Sequence, residues 1–262
     1  MPGPRIAETL QAAKQEGRIA LIPFLPGGYP DKERFGRELI ELDTAGADII
    51  EVGVPFSDPM ADGPVVEEAS QACLNQGVNL TWIMQTLKEL RSQLQANLVL
   101  MGYVNPFMQF GWDRLASESA EAGVSGIIVP DLPYQEFLPM QKDFRAKGLD
   151  FIPLVGLNTS LERMRLYASI AEAFVYFVSV MGTTGARQSL PPALEDKLAK
   201  ARQIFNQPIA LGFGLQDPSQ LAQLRPYIDA VVFGSALIRH LCDGGCCSDF
   251  LAPWRDLTQA PM

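Results

Sequence analysis

Histidine is almost absent. His240 is the only one in 262 residues, so a zinc site built on several imidazoles is excluded and a Ser-His-Asp triad has a single residue to draw on. Its position on a late helical stretch suits a solvated or capping role. Cysteine is scarce too: Cys73, Cys242, Cys246 and Cys247 have no paired metal-ligand spacing and make no disulfide framework. Positive charge is in the minority, with 21 Lys and Arg against 30 Asp and Glu and a formal charge of −9. The net field therefore repels phosphate backbones and anionic lipid surfaces. No apolar run approaches the roughly 18 residues of a spanning helix. Met1 to Arg5 lack the apolar stretch of a signal peptide. Together these absences lead us to expect a cytoplasmic protein with no nucleic-acid or membrane partner.

What is present is ample core material: 47% of the residues are hydrophobic and 19% charged, which argues against disorder. Short apolar, β-branched runs recur, each followed by a Gly, Pro or Asp cluster and then by a stretch with helical spacing, the pattern of repeated βα units with a parallel sheet. The expected strands are Ile19–Phe24, Asp48–Val52, Leu98–Gly102, Gly126–Val129, Phe151–Leu154, Phe174–Ser179, Ile209–Gly212 and Ala230–Phe233. Most are continuous apolar runs, as when helices cover one face and a packed interior the other. Eight such strands predict an α/β fold, a single (β/α)8 barrel closed without a bare edge. Ala45-Gly46, Ala122-Gly123 and Lys147-Gly148 read as helix stops ahead of strands, where glycine supplies the left-handed cap. An extra N-terminal helix, roughly Ile6 to Gln15, is expected to plug the lower end. We expect one domain over 1–262 with its core at about 17–241, and a tail after Leu241 that reads as a loop.

Barrel enzymes gather their chemistry at the carboxyl ends of the strands. There Glu51 lies in Ile49-Ile50-Glu51-Val52-Gly53-Val54 and Asp62 in the loop that follows. Glu51 is either a catalytic carboxylate or a barrel-lining one held by backbone donors. Asp62 precedes glycine and also suits a plain turn, as does Asp58 before Pro59. Late in the chain, Gly182-Thr183-Thr184-Gly185, Gly212-Phe213-Gly214 and Gly234-Ser235 close consecutive strands where barrels commonly bind phosphate. A helix opening at Ser235 would aim its positive end at an anion, whereas each glycine pair alone is also a tight turn. All seven lysines fall on helical stretches or helix-side turns, so a Schiff-base mechanism lacks its amine. What remains is proton transfer by carboxylates, with electrons stored in the substrate or a cofactor.

These residues have a known counterpart. Glu51-Val52-Gly53-Val54-Pro55-Phe56-Ser57-Asp58-Pro59, with Ala61-Asp62-Gly63-Pro64, closely resembles the signature of the tryptophan synthase alpha-chain family. The likeness continues through Met101-Gly102-Tyr103-Val104-Asn105-Pro106, Pro130-Asp131-Leu132-Pro133, Tyr176-Phe177-Val178-Ser179, Gly182-Thr183-Thr184-Gly185-Ala186-Arg187 and Gly212-Phe213-Gly214, over approximately residues 5 to 241. It implies a TIM barrel that cleaves indole-3-glycerol phosphate to indole and glyceraldehyde 3-phosphate by a reverse aldol reaction. No cofactor is implied in this chain.

By the same resemblance, Glu51 shuttles protons and Asp62 holds the indole N–H. Gly185, Gly214, Gly234 and Ser235 bind phosphate, while Phe24, Met101, Tyr103, Tyr176, Thr184 and Phe213 line the pocket. Asp58, Pro59, Asn105, Pro106 and Pro133 face a pyridoxal-phosphate-dependent beta chain in an alpha2-beta2 tetramer. Burial between Ile50 and Val52 is expected to raise the pKa of Glu51. Pro26-Gly27-Gly28-Tyr29-Pro30 and Val180 depart from the family's usual Thr-Ala-Gly-Asp-Pro and arginine, so charge-assisted contacts of the strand-six loop would differ. A free-standing lyase, a non-catalytic activator of the beta chain and a flavin-binding barrel are the competing readings.

Overall fold

The computed structural model describes residues 6–179, 193–212 and 218–258. Their strands, all parallel, are β1 (Ala20–Pro26), β2 (Ile49–Gly53), β3 (Asn97–Met101), β4 (Val124–Ile128), β5 (Asp150–Phe151), β6 (Leu154–Gly156), β7 (Val175–Val178), β8 (Ile209–Gly212) and β9 (Ala230–Phe233). The spatial order is β5-β4-β3-β2-β1-β9-β8-β7-β6, and its two ends are consecutive pieces of one stretch of chain. Between them, Ile152 N–H donates to Ile127 O at 2.9 Å, while the Pro153 carbonyl accepts from Tyr176 N–H at 3.0 Å. Proline has no N–H to give a ladder, so the expected strand Phe151–Leu154 is two pieces. Its halves serve opposite neighbours and thereby close an eight-staved barrel. Elsewhere the boundaries shift slightly: β1 runs on to Pro26 and β4 begins at Val124.

Every residue of β1, β2 and β3 is buried, as two covered faces require. Gly123 and Gly148 end helices with φ of 81° and 79°, the left-handed conformation for which a Cβ is costly. The helix Ile6–Gln15 is where the sequence indicated. Ile6, Leu10 and Ala13 are buried, and the Ile6 side chain lies 2.8 Å from where a Cβ on Gly126 would stand. Thr9 Oγ1 accepts from Asn97 Nδ2 at 2.7 Å. This helix covers the lower end of the barrel, where two carboxylates are fully engaged. Asp229 takes Lys14 Nζ at 2.9 Å, Arg202 Nη1 at 2.5 Å and Ile209 N–H at 2.8 Å. Asp48 takes Arg18 Nη1 at 2.7 Å and Leu21 N–H at 2.9 Å.

The tail corrects the expectation of a loop, because Cys247–Thr258 is a helix. Cys247, Leu251 and Trp254 are buried at helical spacing. Glu41, on the helix Lys32–Thr44, accepts from Ser248 N–H at 3.0 Å and Ser248 Oγ at 2.9 Å. It so satisfies a donor at the start of this helix. Gly244, Gly245 and the internal Pro253 disguised this helix in the sequence. His240 does cap a turn: its Nε2 lies 3.0 Å from Cys246 O.

Candidate active site

At the upper end of the barrel, β2 sets Glu51 beside Phe24 of β1 and Val99 of β3. The side chain is 1% exposed. Neither carboxylate oxygen has a hydrogen-bond partner among the described residues, so no described backbone donor holds it. An ionised carboxylate is poorly tolerated there. Burial first, and then the nearby charge of Asp62, pushes the Glu51 carboxyl up to about 8. Asp62 is also buried, just ahead of the helix Pro64–Asn75. Burial pushes its carboxyl up to about 6, opposed by the Tyr103 hydroxyl and reinforced by Glu67. Tyr176 on β7 is buried close enough to feel both acids: burial, then Glu51, then Asp62, drive its hydroxyl pKa well above the usual value.

Around the acids the neighbouring side chains are aromatic and apolar. Phe24, Met101, Tyr103 and Tyr176 are buried. The Phe24 ring fills the space where a Cβ on Gly53 or Gly234 would stand, at 2.5 Å and 2.8 Å respectively. The Tyr176 ring occupies the corresponding space at Gly212. Glycines at three strand ends thus make room for rings, a role that the phosphate reading of Gly234 did not anticipate. Tyr103 Oη accepts from Ala61 N–H at 3.0 Å, and its ring lies 5.4 Å from that of Phe56. Phe56 belongs to this surround, and Asp131 accepts from Val104 N–H beside Tyr103; both are quoted in the motifs but given no role. Only their place in the motifs marked them.

Gly234 precedes the helix Ser235–Cys242, with Ile238 N–H donating to Gly234 O at 2.9 Å, so a helix opens at Ser235 as expected. Thr184, Gly185, Phe213, Gly214 and Val180 lie outside the described residues. Asp58, Asn105 and Pro133 are exposed and Pro59 and Pro106 partly so; Met60 (83%) is exposed beside Asp58 and Pro59, and Met108 (62%) on the short helix Val104–Phe110 that carries Asn105 and Pro106. The divergent Tyr29 is buried, its hydroxyl 3.4 Å from Ile238 O. No group of three or more His, Cys, Asp or Glu arranged to hold a metal occurs among the described residues, and none of their helices is long and apolar enough to cross a membrane.

Two buried acids with raised pKa values among aromatic rings suit acid–base chemistry on a ring-bearing ligand. The family model for the tryptophan synthase alpha chain matches residues 10–246. The chain belongs to the tryptophan synthase alpha-chain family. A tryptophan synthase alpha chain from Solidesulfovibrio magneticus is 57% identical over 96% of both chains, and one from Picosynechococcus is 40% identical over 91% of both. Among solved structures, Mycobacterium tuberculosis tryptophan synthase superimposes with a TM-score of 0.90 at 32% identity, covering 98% of this chain and 99% of that one. The tryptophan synthase alpha chain of Legionella pneumophila gives 0.86 at 28%, covering 97% of each. These likenesses extend over the whole barrel and agree with its TIM-barrel architecture.

Proposed function

We propose that this chain is a carbon–carbon lyase that performs the alpha reaction of tryptophan synthesis, the reverse aldol cleavage of indole-3-glycerol phosphate to indole and glyceraldehyde 3-phosphate. The observation that carries the proposal is Glu51: a buried carboxyl without a hydrogen-bond partner among the described residues, titrating near 8, beside an acid that titrates near 6. At neutral pH this order leaves Glu51 chiefly protonated and Asp62 chiefly ionised, one donor and one anion.

Glu51 delivers its proton to indole C3, which places positive charge on the ring nitrogen. Asp62 accepts a hydrogen bond from that N–H, and its charge stabilises the iminium more than the neutral ring, so the interaction favours the transition state over the ground state. The Glu51 carboxylate then removes the proton of the adjacent glycerol hydroxyl. As the C–O bond becomes a carbonyl, the bond to C3 breaks and its electron pair returns to the ring, releasing indole and the aldehyde. The substrate's own heterocycle is the electron sink, so the step asks for no cofactor in this chain. Phe24, Met101, Tyr103, Tyr176, Thr184 and Phe213 wall the heterocycle and glycerol. Gly185, Gly214, Gly234 and Ser235 hold the phosphate through backbone N–H groups and the start of the helix Ser235–Cys242.

The surface of Asp58, Pro59, Asn105, Pro106 and Pro133 receives a pyridoxal-phosphate-dependent beta chain in an alpha2-beta2 tetramer. Exposure of Met60, beside Asp58 and Pro59, and of Met108, on the helix that carries Asn105 and Pro106, supports a contact face there. The test is indole release by the purified chain, alone and with a beta chain. Indole formation accelerated by the beta chain is expected. Absence of indole under both conditions refutes the lyase, and full activity indifferent to the beta chain refutes the partnership.

A further inference from the structure

Building on the role given to Asp62 above, we propose that Asp131 is a positioning residue for that acid: it ties the partner-facing loop after β4 to Tyr103, and through Tyr103 to the loop that carries Asp62. Asp131 Oδ1 accepts from Val104 N–H at 2.9 Å. Val104 opens the helix Val104–Phe110, whose N-cap, Tyr103, offers no side-chain hydrogen bond of its own. The acceptor for this helix start therefore comes from a neighbouring loop. That loop is itself tightly folded, with Leu132 N–H donating to Val129 O at 3.2 Å and Glu136 N–H to Pro133 O at 2.9 Å, so Asp131 moves with Pro133.

The backbone of Tyr103 is fixed on one side by this bond, while its side chain reaches the other way. The hydroxyl accepts from Ala61 N–H at 3.0 Å and faces the Asp62 carboxyl, and the ring rests on Phe56. Asp58, Pro59 and Met60 lie between Phe56 and Ala61, so both partner-facing loops converge on one ring. Pressure on either displaces the same hydroxyl.

The groups that face Asp62 are Glu51 from β2, Tyr103 from the loop after β3, Tyr176 from β7 and Glu67 from the helix Pro64–Asn75. Of these, Tyr103 favours the ionised acid and Glu67 opposes it. Withdrawing the Tyr103 hydroxyl leaves Asp62 protonated to higher pH and removes the anion from indole N–H.

The experiment is steady-state indole release across the pH range by the wild-type chain and by Asp131→Ala, Asp131→Asn, Tyr103→Phe and the double variant Asp131→Ala/Tyr103→Phe. Asp131→Ala is expected to lower kcat at neutral pH about five- to tenfold with KM changed by less than about twofold, as misplacement of a reacting group does. Its acid limb moves to higher pH, in the same direction as that of Tyr103→Phe. Asp131→Asn, which keeps the acceptor and loses the charge, restores both readouts. The double variant is no worse than Tyr103→Phe alone. An active wild type whose Asp131→Ala profile is unmoved, or whose Asp131→Asn variant is as impaired as Asp131→Ala, overturns the proposal while leaving the reaction intact. So does a double variant whose loss is the product of the two single losses. A wild type that forms no indole overturns the reaction and this proposal together.

Discussion

The two ends of the barrel treat carboxylates in opposite ways. Below, Asp229 is held by Lys14, Arg202 and a strand N–H, and its pKa lies below the usual range despite burial, because these donors favour the charged form. Above, Glu51 and Asp62 are as well shielded from water but face each other, a tyrosine hydroxyl and apolar walls, and both titrate high. The lower acids hold strands and the N-terminal helix together. The upper ones keep a proton that can be moved. The same backbone therefore holds carboxylates whose pKa values are driven in opposite directions, separated by which partners each receives.

That contrast breaks most visibly at Glu51. Glu51→Gln cannot exchange its proton and should slow indole release by about 10²- to 10⁴-fold, the usual worth of a general acid–base group. The wild-type kcat/KM should rise through a pH near 6 as Asp62 ionises and fall through a pH near 8 as Glu51 loses its proton. A flat profile across that window would contradict the assignment. The same variant should be more stable than the wild type at alkaline pH. The native state holds the Glu51 proton up to about 8, whereas an unfolded glutamate ionises at 4.5. Wild-type stability from this group is therefore whole below 4.5 and is lost as pH rises through 8. Glutamine escapes that loss, by roughly 2–4 kcal/mol at pH 8, measurable as a gap in denaturant midpoints that closes towards acid.

Asp62→Asn keeps an acceptor but loses the charge, and a drop of about 10- to 100-fold in kcat with a modest change in KM is expected. The smallest effect sharpens the comparison from below. Asp229→Asn should cost roughly 1–2 kcal/mol of unfolding free energy, moderated by the exposure of Lys14, and leave indole release per folded molecule unchanged. If it instead alters the pH profile, the two ends are not independent.

Much of this was legible in the sequence because it is local. The apolar runs of β2 and β3, the glycine stops at Gly123 and Gly148, the helix Ile6–Gln15 and the acid at Glu51 are each announced by their own neighbours. What escaped depends on residues distant in sequence. The division of the fifth strand follows from which neighbours Ile152 and Pro153 serve, and the helix Cys247–Thr258 is capped by Glu41 from another helix. Gly53 and Asp131 appear in the sequence only as members of motifs, and their contacts, the Phe24 ring over Gly53 and Val104 N–H on Asp131 Oδ1, come from other strands and loops. The residues 180–192 and 213–217, which hold Gly185 and Gly214 of the four expected phosphate contacts, lie outside the described residues.

Because the Phe24 ring rests on two missing side chains, at Gly53 and Gly234, this wall of the pocket is adjustable from one position. Trimming Phe24 to leucine would deepen the chamber without disturbing either strand end, allowing the lyase to accept heterocycles that carry an added substituent at the price of a weaker grip on the unadorned one. Size selection could then be retuned separately from the two acids proposed to break the bond.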